Sequence, residues 1–202
     1  MGTSHRVWLL AGLGLGLLLL AGTVSSDQGK TKHVRCSFSA TFVSGVENHL
    51  DTNGDMRSAS VHQGLVNCNI GQFLFQEEFE FLDPLPAPVT CPTGTTEFDL
   101  LQAHGVLTEE KTGDQLFFED AAGEVTFCLN PDLTFSFTEQ GTFAGGTGQF
   151  TGASGSFDGQ GTGQYLVFGS KGGDPGGFGQ FTETVTGTLS LPQGAADKEG
   201  ED

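Results

Sequence analysis

The sequence predicts an all-β fold, an antiparallel barrel of about eight strands. Three observations predict it. Apolar and polar residues alternate with period two along most of the chain, and the 3.6-residue period of an amphipathic helix is almost absent. Glycine supplies 32 of the 202 residues without a G-X-Y repeat, which excludes collagen and favours a turn-rich sheet. Phenylalanine supplies 18, enough apolar bulk for a packed core despite a formal net charge of −17.

The strands follow in order. Residues 34–43 put Cys36, Phe38, Ala40 and Phe42 on one face, with Ser37, Ser39 and Thr41 on the other. Residues 70–82 are the clearest strand: Phe73, Phe75, Phe79 and Phe81 share a face, and Gln76, Glu78 and Glu80 oppose them. Pro84, Pro86 and Pro88 end it, because proline cannot serve an interior ladder. Residues 96–107 form the next strand. Residues 114–119 and 123–129 read as a hairpin, joined across Asp120-Ala121-Ala122-Gly123. Residues 132–143 alternate Leu133, Phe135 and Phe137 with Thr134, Ser136 and Thr138. Residues 156–169 and 177–191 close the set, at the spacing of a barrel or sandwich.

Between Gly141 and Gly187 lie 16 of the 32 glycines. Glycine there permits the bends and close backbone approach that a small curved sheet needs. A phosphate-cradling loop at Gly146-Thr147-Gly148 lacks the following Lys-Ser/Thr and the strand–loop–helix setting.

At the N-terminus, His5 and Arg6 precede an apolar run, Val7 to Gly22, and the small residues Thr23-Val24-Ser25-Ser26. This predicts a cleaved export signal over residues 1–26. A retained anchor is the alternative, but the run is short for a span and interrupted by glycine. One barrel domain is expected over 27–192, followed by an acidic, unstructured tail over 193–202. The expected location is secreted, periplasmic or cell envelope, with no membrane span once the signal is removed. An exported chain with four cysteines, Cys36, Cys68, Cys91 and Cys128, predicts two disulfides. Three pairings are open; bridges between nearby strands favour Cys36–Cys68 and Cys91–Cys128. No C-x-x-C spacing supports zinc or thiol redox chemistry. So acidic a chain repels a phosphate backbone, which excludes nucleic acid as the expected partner.

Strand phase singles out three carboxylates as candidate catalytic groups. Glu77, Glu139 and Glu183 each fall among apolar residues on the inward face. A buried carboxyl must be partnered, protonated or beside a wet pocket, and a raised pKa suits acid–base work. Arg35, Arg57, His62, His104 and Tyr165 are the available partners, most of them read as surface groups. Asp51, Asn53 and Asp55 space oxygen ligands as a weak calcium site would. Met56 and His62 stand where an EF-hand needs Gly and Glu, so Asn53-Gly54 reads as a turn. No Ser/His/Asp set or nucleophile elbow is present, His33, His62 and His104 are too scattered for a metal centre, and no cofactor is expected.

Residues Asp51 to Ser60 leading into Gly71-Gln72-Phe73, then Gly141 to Phe157, then Gly177 to Leu189, carry a resemblance. They look like a group of exported bacterial proteins with a Gly-Gly-Thr-Gly-x-Phe-x-Gly-Ala-x-Gly signature, over residues 33–191. The signature is similar to the late strands of allene oxide cyclase-like and dirigent-like β-barrels. The resemblance implies an eight-stranded barrel with an apolar cavity, which in the better-known relatives cyclises an oxylipin or steers phenol radical coupling. No catalytic residue carries over by alignment. The expected function is a non-catalytic binder of a small apolar ligand. One alternative is a cyclase or isomerase using an inward Glu. Another is a structural or adhesive envelope protein presenting Thr182, Thr184, Thr186 and Thr188.

Overall fold

The computed structural model describes residues 29–46, 59–81, 85, 87–171 and 174–192. The expected leader (1–26), the calcium turn with Asp51, Asn53 and Asp55, Arg57 and the acidic tail (193–202) lie outside the described residues.

The described chain is all-β and antiparallel. Its segments are β1 Lys30–Val46, β2 Ala59–Cys68, β3 Gly71–Phe81, β4 Thr96–Glu109, β5 Gln115–Asp120, β6 Val125–Leu129, β7 Thr134–Gly146, β8 Ser154–Lys171 and β9 Asp174–Leu191. Hydrogen bonding runs β3-β2-β1-β9-β8-β7-β5-β4, and β3 also pairs with β4, so the sheet closes on itself. Closure leaves no unpaired edge between these strands.

Three sequence expectations need correction. β5 and β6 are not a hairpin. β4 pairs with β5 through 103–108 and with β6 through 96–99, while β7 pairs with β5 through 142–146 and with β6 through 135–139. The two therefore lie end to end in one strand position, and the turn at 121–124 loops out of it. The local turn signal is real, since Glu124 N–H donates to Ala121 O at 3.1 Å. Two long neighbours simply hold both halves in line. Next, β2 has no counterpart in the sequence reading. Its outward side carries Val61 and Leu65, and its inward side Ser60, His62 and Gly64, so the usual alternation is scrambled. Last, Leu133 is not in a strand. It closes the β6–β7 turn with φ 68°, and its N–H donates to Asn130 O.

Glycine and phenylalanine work as one device in this sheet. A Cβ on Gly105 would stand inside the ring of Phe118, on Gly141 inside Phe157, on Gly161 inside Phe137, and on Gly179 inside Phe42. Each glycine lies directly across from its phenylalanine on the neighbouring strand. An eight-position barrel is only wide enough to be filled by side chains. Large rings fit because the facing wall is bare backbone.

One end of the ring is plugged by the glycine-rich connection between β7 and β8. Gly145, Gly148 and Gly152 have φ of 112°, 52° and 71°, values that suit glycine. The turn they make puts Phe150, 1% exposed, against Phe73 at 5.9 Å. The signature stretch therefore builds a stopper.

The opposite end is flanked by residues 87–95. A disulfide joins Cys91 to Cys128, and a second joins Cys36 to Cys68 across β1 and β2. Glu97, opposite Cys128 in the β4–β6 register, accepts N–H bonds on Oε2 from Val89 (2.6 Å), Thr90 (2.9 Å) and Cys91 (2.9 Å). These donors, Cys91 foremost, hold its carboxyl below the ordinary value. Replacing Glu97 by Ala removes the shared acceptor. The amides of 89–91 are then expected to exchange with solvent faster while β1 and β9 keep their protection; unchanged exchange at 89–91 would refute this role.

No helix among the described residues is long and apolar enough to cross a membrane. Thr182, Thr184 and Thr186 face solvent on β9.

Candidate functional site

The three carboxylates singled out by strand phase all face inward. Glu77 on β3, Glu139 on β7 and Glu183 on β9 are 5%, 6% and 6% exposed. Two small cavities lie on either side of them. One, about 30 Å³, is at the 87–95 end and is lined by Phe42, Phe79, Phe81, Phe135, Tyr165 and neighbouring rings. The other, about 20 Å³, is at the Phe150 end and is lined by Phe38, Phe75, Phe118 and Phe157 among others. All three glutamates line both, so they form a polar layer across the apolar interior. On this measure a water needs roughly 10–15 Å³, so each space is of one- or two-water size.

The layer is built by register. On β8, Gly159 faces Glu139; a side chain there would collide with Glu183 Oε1 and reach to within 2.6 Å of Glu139 Oε1. Glycine at 159 is thus the space in which two carboxyls meet and hydrogen-bond. Glu77 faces His62 on β2 and Gly105 on β4. His62 Nδ1 stands 3.3 Å from Glu77 Oε2, short of hydrogen-bond alignment, and Nε2 is 3.0 Å from Ser60 Oγ. Ser60 donates to Val43 O at 3.5 Å. That chain assigns the imidazole proton to Nε2 and turns the Nδ1 lone pair toward Glu77.

Burial dominates the ionisation of every member. It pushes His62 down to about 3, so the ring is neutral near pH 7. It raises Glu77 well above the carboxylate range, with help from the neighbouring acids Glu139, Asp120 and Glu183. Glu139 is raised likewise by burial and by Glu183, to which it donates the shared proton. Glu183 is pushed up to about 7 by burial, held back by that bond. The contact between His62 and Glu77 is accordingly one between neutral groups, not an ion pair.

A fourth acid belongs to the group. Asp120, 2% exposed, ends β5 with both carboxyl oxygens unpartnered, and burial beside Glu139 pushes it up to about 8. The sequence reading placed Asp120 in a turn. Continuing the Leu116, Phe118 phase of β5 by two residues would have found it. His62 was missed as an interior residue because β2 was. Glu80 was expected to face solvent, yet it is fully buried and accepts a bond from Gln102 Nε2 at 3.0 Å. The other suggested partners divide. Tyr165 faces inward at the cavity rim, Arg35 is exposed, and His104 pairs with Glu119 at 3.7 Å on the surface. Among the described residues, no three His, Cys, Asp or Glu side chains are arranged to hold a metal ion.

A concavity of about 1180 Å³ lies outside the ring over Thr, Ser and Gln side chains of seven strands, and no titratable group lines it.

No protein-family model matches the chain, and no curated protein matches it. Among solved structures, a pterocarpan synthase dirigent protein aligns with a TM-score of 0.31 and 11% identity, over 78% of this chain and 86% of that one.

Proposed function

We propose that this is an exported binding protein that holds one small, mostly apolar molecule with a polar head inside the closed sheet. The observation that carries the reading is the composition of the 30 Å³ cavity: aromatic walls over a floor of Ser60, His62, Glu77, Glu139 and Glu183. Apolar pockets with a few convergent polar groups and shifted pKa values are where small ligands bind. The space takes the head; the body requires rings at the half-buried rim, Phe81 and Tyr165, to swing outward. Export is supported by the two disulfides, which persist in oxidising compartments.

Thermal unfolding against a panel of small aromatic and aliphatic compounds, with native mass spectrometry of the same samples, tests the reading. One bound molecule per chain and a raised Tm are expected, about 2.7 kcal/mol of stabilisation at a hundredfold excess over Kd. A panel in which no compound raises Tm or survives as a complex overturns it.

A second reading, a cyclase or isomerase working by acid–base catalysis, is favoured by one specific contact. Glu77, a protonated acid, faces the neutral lone pair of His62 across 3.3 Å on the cavity floor. Its mark would be turnover of an added strained epoxide that Glu77→Gln abolishes. Equal rates for the wild type and Glu77→Gln would remove it.

A further inference from the structure

The ligand-binding reading leaves the chemistry of the polar head open, and the interior narrows it. Glu183 lines both cavities, and its Oε1 is buried with no hydrogen-bond partner. Asp120, behind Glu139, has none on either oxygen. No Lys or Arg lines either cavity, and none among the described residues is buried. The walls above the carboxyl layer are aromatic rings. His62 packs 4.5 Å from Phe79 and 5.1 Å from Phe181 between centroids, and Phe42 packs 4.9 Å from Tyr165 and 5.5 Å from Phe135.

Resting on the binding reading, we propose that the site takes an organic cation, a primary or methylated ammonium head seated on Glu183, Glu139 and Glu77, with its apolar body among the rings of the rim. Buried acids without cationic partners stay protonated, because an isolated buried carboxylate is costly. An entering ammonium supplies the missing partner. One carboxyl then ionises, its proton leaves to solvent, and the new carboxylate and the ammonium form a buried pair whose remaining donors and acceptors the neighbouring acids complete. Aromatic walls suit the same charge, since a ring's quadrupole attracts a cation over its face. The head also fits the space, an ammonium or methylammonium group being close to water in size. A carboxylate ligand meets the opposite conditions: four acids and no cation. Fatty acids and other anions are therefore rejected. A bare metal ion is not the occupant either, for want of converging ligand geometry.

Three probes on one skeleton test this: 2-phenylethylamine, 2-phenylethanol and 3-phenylpropanoate, titrated calorimetrically into the full chain at pH 6 in two buffers of different ionisation enthalpy. The amine is expected to bind at least tenfold tighter than the alcohol and to release close to one proton, while the carboxylate does not bind. Glu183→Gln, which keeps the shape of the protonated acid, is expected to bring the amine's affinity down toward that of the alcohol and to abolish the proton release. If the alcohol or the carboxylate equals the amine, or if the preference survives in both Glu183→Gln and Glu139→Gln, the cation proposal is overturned and the binding reading stands. If none of the three binds, the binding reading itself falls.

Discussion

Between pH 5 and pH 8 the melting temperature of this protein is expected to fall by roughly 10–20 °C. Glu183 has its ordinary value of 4.5 raised to about 7 in the fold, and Asp120 its 3.8 raised to about 8. Glu77 and Glu139 move the same way. A group raised in the folded state contributes stability fully below its unfolded pKa and loses it as pH climbs through the folded value. Above about pH 4 the unfolded chain therefore releases protons that the fold retains, and unfolding gains. One pKa step is worth about 1.4 kcal/mol, so a coupled group of this kind supplies on the order of 5 kcal/mol over the interval. One kcal/mol moves the Tm of a domain this size by about 2–4 °C.

His62 acts in the opposite sense. Its folded value of about 3 makes the fold lose stability as pH drops from 6.5 toward 3. Glu97 and Asp132, held low by hydrogen bonds, do likewise in acid. The optimum is thus expected near pH 4–5: His62 has lost part of its contribution there, but the several raised acids together outweigh one imidazole. Asp120→Asn mimics the protonated acid and should flatten the decline above pH 6. Circular dichroism melts at constant ionic strength measure both. A wild-type Tm that is level or rises from pH 5 to 8 contradicts the carboxyl layer as described.

The second large effect lies in the glycine–phenylalanine pairs. Phe118→Ala empties the ring position over Gly105 and is expected to cost about 3–5 kcal/mol. Gly105→Ala leaves Phe118 in place but drives a methyl group into a ring that is itself buried, an overpacking cost of about 1–3 kcal/mol. The two positions share one space, so Gly105→Ala with Phe118→Ala should cost less than the sum of the singles. Urea unfolding of the four proteins completes the cycle. A neutral Gly105→Ala together with strict additivity would show that the ring does not need the bare backbone.

Much of this was legible in the residues alone. The inward phase of Glu77, Glu139 and Glu183 follows from strict alternation in β3, β7 and β9, where Phe residues mark the same side. The disulfide partners suggested by proximity, Cys36 with Cys68 and Cys91 with Cys128, are the ones that form. Other parts were hidden for physical reasons. β2 carries apolar side chains on the solvent side, so no period distinguishes its faces and His62 could not be assigned to the interior. The Asp120–Gly123 stretch has turn chemistry, and a turn inside a strand looks the same locally as a turn that reverses the chain.

The sequence by itself determined the all-β class and the phase of the strongest strands, because alternation and composition are properties of neighbouring residues. Only the tertiary structure decided that β5 and β6 share one position, that His62 and Asp120 join the three glutamates, and that the space around them is water-sized. Those outcomes depend on which strand lies alongside which, and hydrogen bonding between strands distant in the chain overrides local turn and facing preferences.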